Sequence, residues 1–227
     1  MARTLNVEVH TVRRDAFVDA AQRLIQAHGY EQMSVQDVLD EVDASRGAFY
    51  HYFDSKAALL DAVIERMVDD SLEAVRPLVA DPGLSAIEKL DGVFAGIARW
   101  KGERTELMLA VLESWLTDDN AIVRDKLRQG VAGRLTPVLA TILEQGAAEG
   151  TFTISSPAHA ARVLVSLLQG ANEAAIELWF ARRAGSIPFD AVASALGAYR
   201  AAFERILGLP ANSMLALDER TLHQWFD

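Results

Sequence analysis

The chain has 227 residues, no cysteine and a net charge of −10 at pH 7. That length suits one large domain or two small ones, and the missing cysteines exclude a disulfide framework, thiolate metal sites and cysteine nucleophiles while fitting a reducing compartment. Acidity by itself argues against a nucleic-acid partner, but binding depends on where the charges sit rather than on their sum.

The opening stretch, Met1 to Arg14, has no apolar run after its charges, so no secretory signal is expected. From Thr11 to His28, apolar Phe17, Ala20, Ala21, Leu24 and Ile25 recur at three and four, which predicts a helix ended by Gly29. Ser34 opens a second, short helix with Asp37 as its capping-box partner and Val35, Val38, Leu39 and Val42 as its buried stripe. Asp43 falls in the connection, where aspartate tolerates a left-handed backbone better than most residues. Ser45 is the N-cap of a third helix running to about Phe53, and Asp54–Lys56 caps a fourth that ends near Pro77.

Ala80–Ser85, with Pro82 and Gly83 adjacent, is the clearest break in the chain. Helices follow near 85–101, 104–117 and 120–149, the last bent at Pro137. Gly150–Pro157 reads as a loop, then come long apolar helices near 158–183 and 188–208, and a weak helix or coil after Pro210. Arg162, Gln169, Asn172, Glu173 and Glu177 interrupt the most apolar window before a membrane span is reached, so a soluble cytoplasmic protein is expected. No repeat or βαβ alternation appears; the architecture reads as all-α.

Two short helices joined by a tight turn, with a helix ahead of them, make a helix-turn-helix. In SRGAFYHYF (Ser45–Phe53), helical phase splits the aromatic cluster. Ala48, Phe49 and Phe53 share one face as core plugs, Tyr52 lies at the boundary, and Arg46, Gly47, Tyr50 and His51 point away. The N-terminal residues of a recognition helix meet base edges in the major groove. Arg46 suits guanine acceptors, Tyr50 and His51 suit phosphates or a thymine methyl, and Gly47 lets the backbone come close. Lys56, a cation where the helix dipole disfavours one, suits a phosphate clamp. Ser34 and Ser45 are caps whose hydroxyls or amides are also placed to meet phosphate.

Met33–Glu65, MSVQDVLDEVDASRGAFYHYFDSKAALLDAVIE, resembles the DNA-binding segment of TetR-family transcriptional repressors. The likeness runs from about Thr11 to Glu65 and rests on Ser34 with Val35, on Ser45 with Gly47, and on FYHYFDSKAALL. Leu39 stands where that family mostly has alanine, and Asp43 where it mostly has glycine. The resemblance carries DNA contact to Ser34, Val35, Ser45, Arg46, Gly47, Tyr50, His51, Tyr52 and Lys56.

It also implies a fold: a three-helix helix-turn-helix domain over 11–71, with its motif at about 34–53, then a larger helical ligand-binding and dimerisation domain over 72–227. The function implied is a ligand-released repressor that binds a palindromic operator as a homodimer. The alternative is a helical ligand-binding or interaction module without sequence-specific DNA binding. The last two long helices carry stripes at Val163, Leu167, Ala171, Ala174, Leu178 and at Val192, Leu196, Tyr199, Phe203, Ile206, which fit a dimer interface or an intramolecular core. Phe94, Trp100, Met108, Trp115 and Trp179, with Asn172 as a polar group, line an effector pocket or belong to plain core.

No Glu-x-x-His, G-x-S-x-G, P-loop or G-x-G-x-x-G occurs, and the five histidines form no metal-spaced pair, so neither enzyme, cofactor nor metal is implied. Residues 1–56 hold six basic groups against nine acidic ones. Attraction to DNA must therefore be focused on Arg46 and Lys56, with Arg13, Arg14 and Arg3 flanking them.

Overall fold

The computed structural model describes residues 2–105, 121–214 and 219–226, and every regular element among them is helical. In chain order these are α1 (Ala2–His28), α2 (Val35–Val42), α3 (Arg46–Tyr52), α4 (Lys56–Glu73), α5 (Arg76–Ala80), α6 (Ala86–Gly102), α7 (Ala121–Glu149), α8 (Pro157–Arg183), α9 (Phe189–Leu207) and α10 (Glu219–Phe226). The chain divides into two compact units. One is Met1–Asp70 with Glu103–Gly130, and the other is Ser71–Gly102 with Val131–Asp227.

In the first unit, α1 begins at Ala2 rather than Thr11, because no glycine or proline interrupts residues 2–28. Arg3 thus stands on helical backbone. Gly29 ends the helix with φ +80°, its N–H donating to the Ile25 carbonyl at 2.8 Å. The core is built from Phe17, Val18, Ala21 and Ile25 of α1, Val38 and Leu39 of α2, Phe49 and Phe53, and Leu59, Leu60, Val63 and Ile64 of α4. Arg66 of α4 pairs with Asp19 and Gln22 of α1, and Arg23 of α1 pairs with Glu41 of α2 at 2.6 Å.

The predicted end near Pro77 is displaced. Helix α4 stops at Glu73, and Pro77 lies in the first turn of α5, where its missing N–H costs nothing. Pro137 sits inside α7 without ending it. Of the helix predicted near 104–117, residues 106–117 lie outside the described part of the chain.

The second unit buries Leu90 and Val93 of α6, Leu135, Leu139, Ile142 and Leu143 of α7, Leu164 and Val165 of α8, and Phe203 and Leu207 of α9. Phe152, in the loop after α7, plugs this core. It fits because position 146 is glycine: a Cβ there would lie 2.1 Å from the Phe152 ring. A smaller cluster joins Val192 of α9 to Leu222 and Phe226 of α10, with Leu178 and Trp179 of α8 against it. Along α8, Val163 is 51% exposed while Leu164 and Val165 are buried. No described helix is long and apolar enough to cross a membrane.

Candidate nucleic-acid interface

The turn between α2 and α3 is set by backbone hydrogen bonds. Asp43 is left-handed (φ 49°, ψ 58°), and its N–H and that of Ala44 both converge on the Leu39 carbonyl. Glycine would adopt this conformation without strain; aspartate tolerates it at a cost. Leu39 is 3% exposed and belongs to the core. The caps on either side differ. Ser34 receives the Asp37 N–H and gives its own N–H and hydroxyl to the Asp37 carboxylate, so an anion already occupies the start of α2. Those bonds hold the Asp37 carboxyl below the usual carboxylate range. Ser45 accepts from the Ala48 N–H at 3.2 Å, and the first turn of α3 holds no carboxylate.

Helix α3 is pinned by its inner face. Phe49 is fully buried, edge-on to Phe17 at 5.7 Å, and Phe53 is buried beside it. Burying a phenylalanine contributes about 1.5–3 kcal/mol, enough to fix the rotation of a seven-residue helix that would not persist alone. Fixing that rotation leaves Arg46, Gly47, Tyr50 and His51 exposed, with Tyr50 at 50%. Tyr52 is half-buried against Phe17, at the boundary that its phase predicts. Val35 is half-buried against the core, and Ser34 and Ser45 are exposed.

Lys56 is placed differently from an extended clamp. Its ammonium lies 4.2 Å from the centre of the Tyr30 ring and donates to the Glu31 carbonyl at 3.4 Å, and burial pushes its pKa down. Arg13 is exposed, and Arg14 reaches over the Phe53 ring at 5.4 Å. Among the described residues, Arg13, Arg14 and Arg46 make no ion pair with a carboxylate.

Residues 17–63 match the family model described as bacterial regulatory proteins, tetR family. That match spans the segment from α1 into α4 that holds the helix-turn-helix. Similar to it is the HTH-type transcriptional repressor KstR2 of Rhodococcus jostii, 26% identical over 151 residues, or 62% of this chain and 68% of the repressor. An uncharacterized HTH-type regulator of Lactococcus lactis is 39% identical over 64 residues, covering 27% of this chain and 33% of that protein. The crystal structure of a TetR transcription regulator from Haloarcula marismortui shares the fold, with a TM-score of 0.61 at 21% identity over 91% of this chain and all of the other. These likenesses agree on a DNA-binding transcriptional regulator, and α3 stands second in the helix pair of the matched segment.

The residues singled out for an effector pocket fall in different clusters of the second unit. Phe94 packs against Phe203 in the main core of the second unit, at 5.4 Å. Trp179 lies in the smaller cluster with α10, beside Phe180 and under Arg183. Trp100 is buried near the end of α6, and the next residue, Lys101, donates to Asn172 of α8 at 3.3 Å. Burial pushes the Lys101 ammonium down. Met108 and Trp115 lie outside the described residues. Sequence reasoning missed one residue at the reading face. His10 of α1 lies 4.6 Å from the Tyr52 ring and 5.6 Å from the His51 ring. Its signal was spacing, since His10, Arg14 and Phe17 share one helical face.

Proposed function

We propose that this protein is a homodimeric repressor that reads a palindromic operator with two copies of α3 and leaves it when a small molecule binds the second unit. The observation that carries the reading is the division of α3 into a buried anchor, Phe49, and an exposed strip of Arg46, Gly47, Tyr50 and His51. Arg46 is the base-reading residue, forked to guanine in the major groove. Tyr50 and His51 meet phosphate or a thymine methyl. Lys56, held against Tyr30, contributes through the fold and only secondarily as a phosphate contact. Ser34 and Val35 approach the backbone of the duplex at the start of α2.

The partner surface is the apolar side of α8 left open by the chain itself, around exposed Val163 and half-buried Leu167, Ala171 and Ala174. Of the second stripe, Val192 and Phe203 serve the intramolecular core instead. Two-fold symmetry places the half-sites about one helical turn apart, ~34–36 Å. Effector binding in the region of Phe94, Trp100, Asn172 and Trp179 shifts α4, which continues from the first unit past residue 70, and DNA affinity falls. Operator DNA must then weaken effector binding by the same factor.

Selection of bound duplexes from a random pool by the purified protein tests the reading. A pseudo-palindromic consensus is expected. Arg46→Ala should weaken binding to that consensus by ~1–3 kcal/mol and relax preference at one base pair of each half-site. If Arg46→Ala keeps both affinity and preference, Arg46 is not the reading residue.

A further inference from the structure

His10 and His51 stand out because, among the described residues, no hydrogen bond or ion pair engages their ring nitrogens. The rings are 5.6 Å apart at an interplanar angle of 71°, and both residues are exposed. Tyr52 touches both, at 4.6 Å from His10 and 5.1 Å from His51. Among the described residues, ring contacts are the only interactions of either imidazole. The placement follows from α1. His10 lies two turns before Phe17 on the face that packs against α3, and Arg14 lies between them over Phe53. The same packing that anchors the recognition helix thus brings a second histidine to its exposed strip.

We propose that His10 and His51 form a proton-coupled phosphate contact, so that DNA binding takes up protons and tightens as pH falls. This rests on the reading of α3 as the DNA-facing helix. An imidazole changes charge between pH 5 and 8, and the charged ring donates from both Nδ1 and Nε2. Charged groups also lie near them in the chain. Arg13 and Arg14 follow His10 on α1, Arg46 precedes His51 on α3, and Tyr50 and Tyr52 flank His51. Glu8, Asp15, Asp43 and Asp54 are the carboxylates of these segments, and no bond from a described carboxylate to either ring occurs. A phosphodiester brought to the strip supplies the missing negative charge. Each ring then takes a proton from solvent and donates an N–H to the phosphate oxygens. The proton comes from the buffer, and no other bond changes.

The probe is the duplex selected by the purified protein, titrated by fluorescence anisotropy between pH 5.8 and 8.0 and by calorimetry in buffers of different ionisation enthalpy. Affinity should rise by about tenfold per pH unit for each proton coupled to binding, with net proton uptake in the calorimeter. His10→Gln and His51→Gln should each flatten the pH profile and lower the proton count. His159→Gln, at the start of α8, should leave both unchanged. Equal pH slopes and proton counts in the wild-type protein and in both variants, with DNA still bound, overturn the histidine pair alone. A protein that enriches no duplex at any pH overturns the DNA reading as well. Since both rings are exposed, the glutamine variants should unfold at the wild-type temperature; if they do not, the urea midpoint of each variant shows whether lost folding explains its lost slope.

Discussion

At Gly47 the backbone lies open. A Cβ built there would meet only the cap hydroxyl of Ser45, at 4.0 Å, so nothing inside the protein requires glycine at that position. Within a helix glycine costs about 1 kcal/mol relative to alanine. Gly47→Ala should therefore stabilise the first unit by ~0.5–1 kcal/mol in urea unfolding while weakening DNA binding. Parallel gains in stability and affinity would refute close backbone approach. Asp43 poses the converse case. Its left-handed conformation suits asparagine as well as aspartate, but its exposed carboxylate stands just ahead of Ser45 and Arg46, where the proposed reading helix begins. Asp43→Asn should leave the thermal midpoint nearly unchanged and tighten DNA binding, most at low salt, where screening is weakest. An unchanged affinity would place Asp43 away from the duplex.

Among the elements, helix starts share one device. Ser34 with Asp37 caps α2, and Ser85 with Glu88 caps α6 in the same way, the hydroxyl and the N–H of Ser85 both donating to the Glu88 carboxylate. Glu149 accepts the Ala86 N–H at 3.0 Å and so ties the end of α7 to the start of α6. Hydrogen bonds hold all three carboxyls below their usual range, led by the backbone bond from Ser34 for Asp37, the Ser85 hydroxyl for Glu88 and the Ala86 N–H for Glu149. A carboxyl depressed in the folded state contributes stability that is complete above its unfolded value, near 4, and is lost as pH falls through the folded value. The urea midpoint should hold from pH 7 to about 5 and fall below about 4.5. Asp37→Asn should lower the neutral-pH midpoint and make the acid loss shallower; an identical acid limb in that variant would remove Asp37 from the account. The SAIE signature at Ser85–Glu88 was as legible as SVQD at Ser34–Asp37. The tie from Glu149 was not, because it joins residues 63 apart.

For the whole molecule the question is how a chain of net charge −10 holds DNA. Several cations of the first unit are already engaged: Arg23 with Glu41, Arg66 with Asp19, and Lys56 with Tyr30 and Glu31. Among the described residues no carboxylate pairs with Arg13, Arg14 or Arg46, and on the proposed reading these three charges serve DNA. In the proposed dimer, three such residues in each protomer should give a slope of log affinity against log salt of about −5. Anisotropy titrations across salt concentrations, at a pH where histidine is neutral, check it. A slope near −10 would mean that many more cations reach phosphate than the focused arrangement provides.

Local chemistry determined much of this protein from the sequence alone. The period of Phe17, Ala21 and Ile25, the capping pair Ser34–Asp37, the terminal Gly29 and the phase of Phe49 against Tyr50 are each set within a few residues. The TetR-type DNA-binding segment is written in that same short-range language. Tertiary structure alone decided what lies across helices. It turned Lys56 onto Tyr30, buried Val192 under α10 and Phe203 against Phe94, and left Val163 open. It also set His10 beside His51, 41 positions along the chain. Helical period tells which residues share a face; which neighbour covers that face depends on packing between distant segments, and no local pattern carries it.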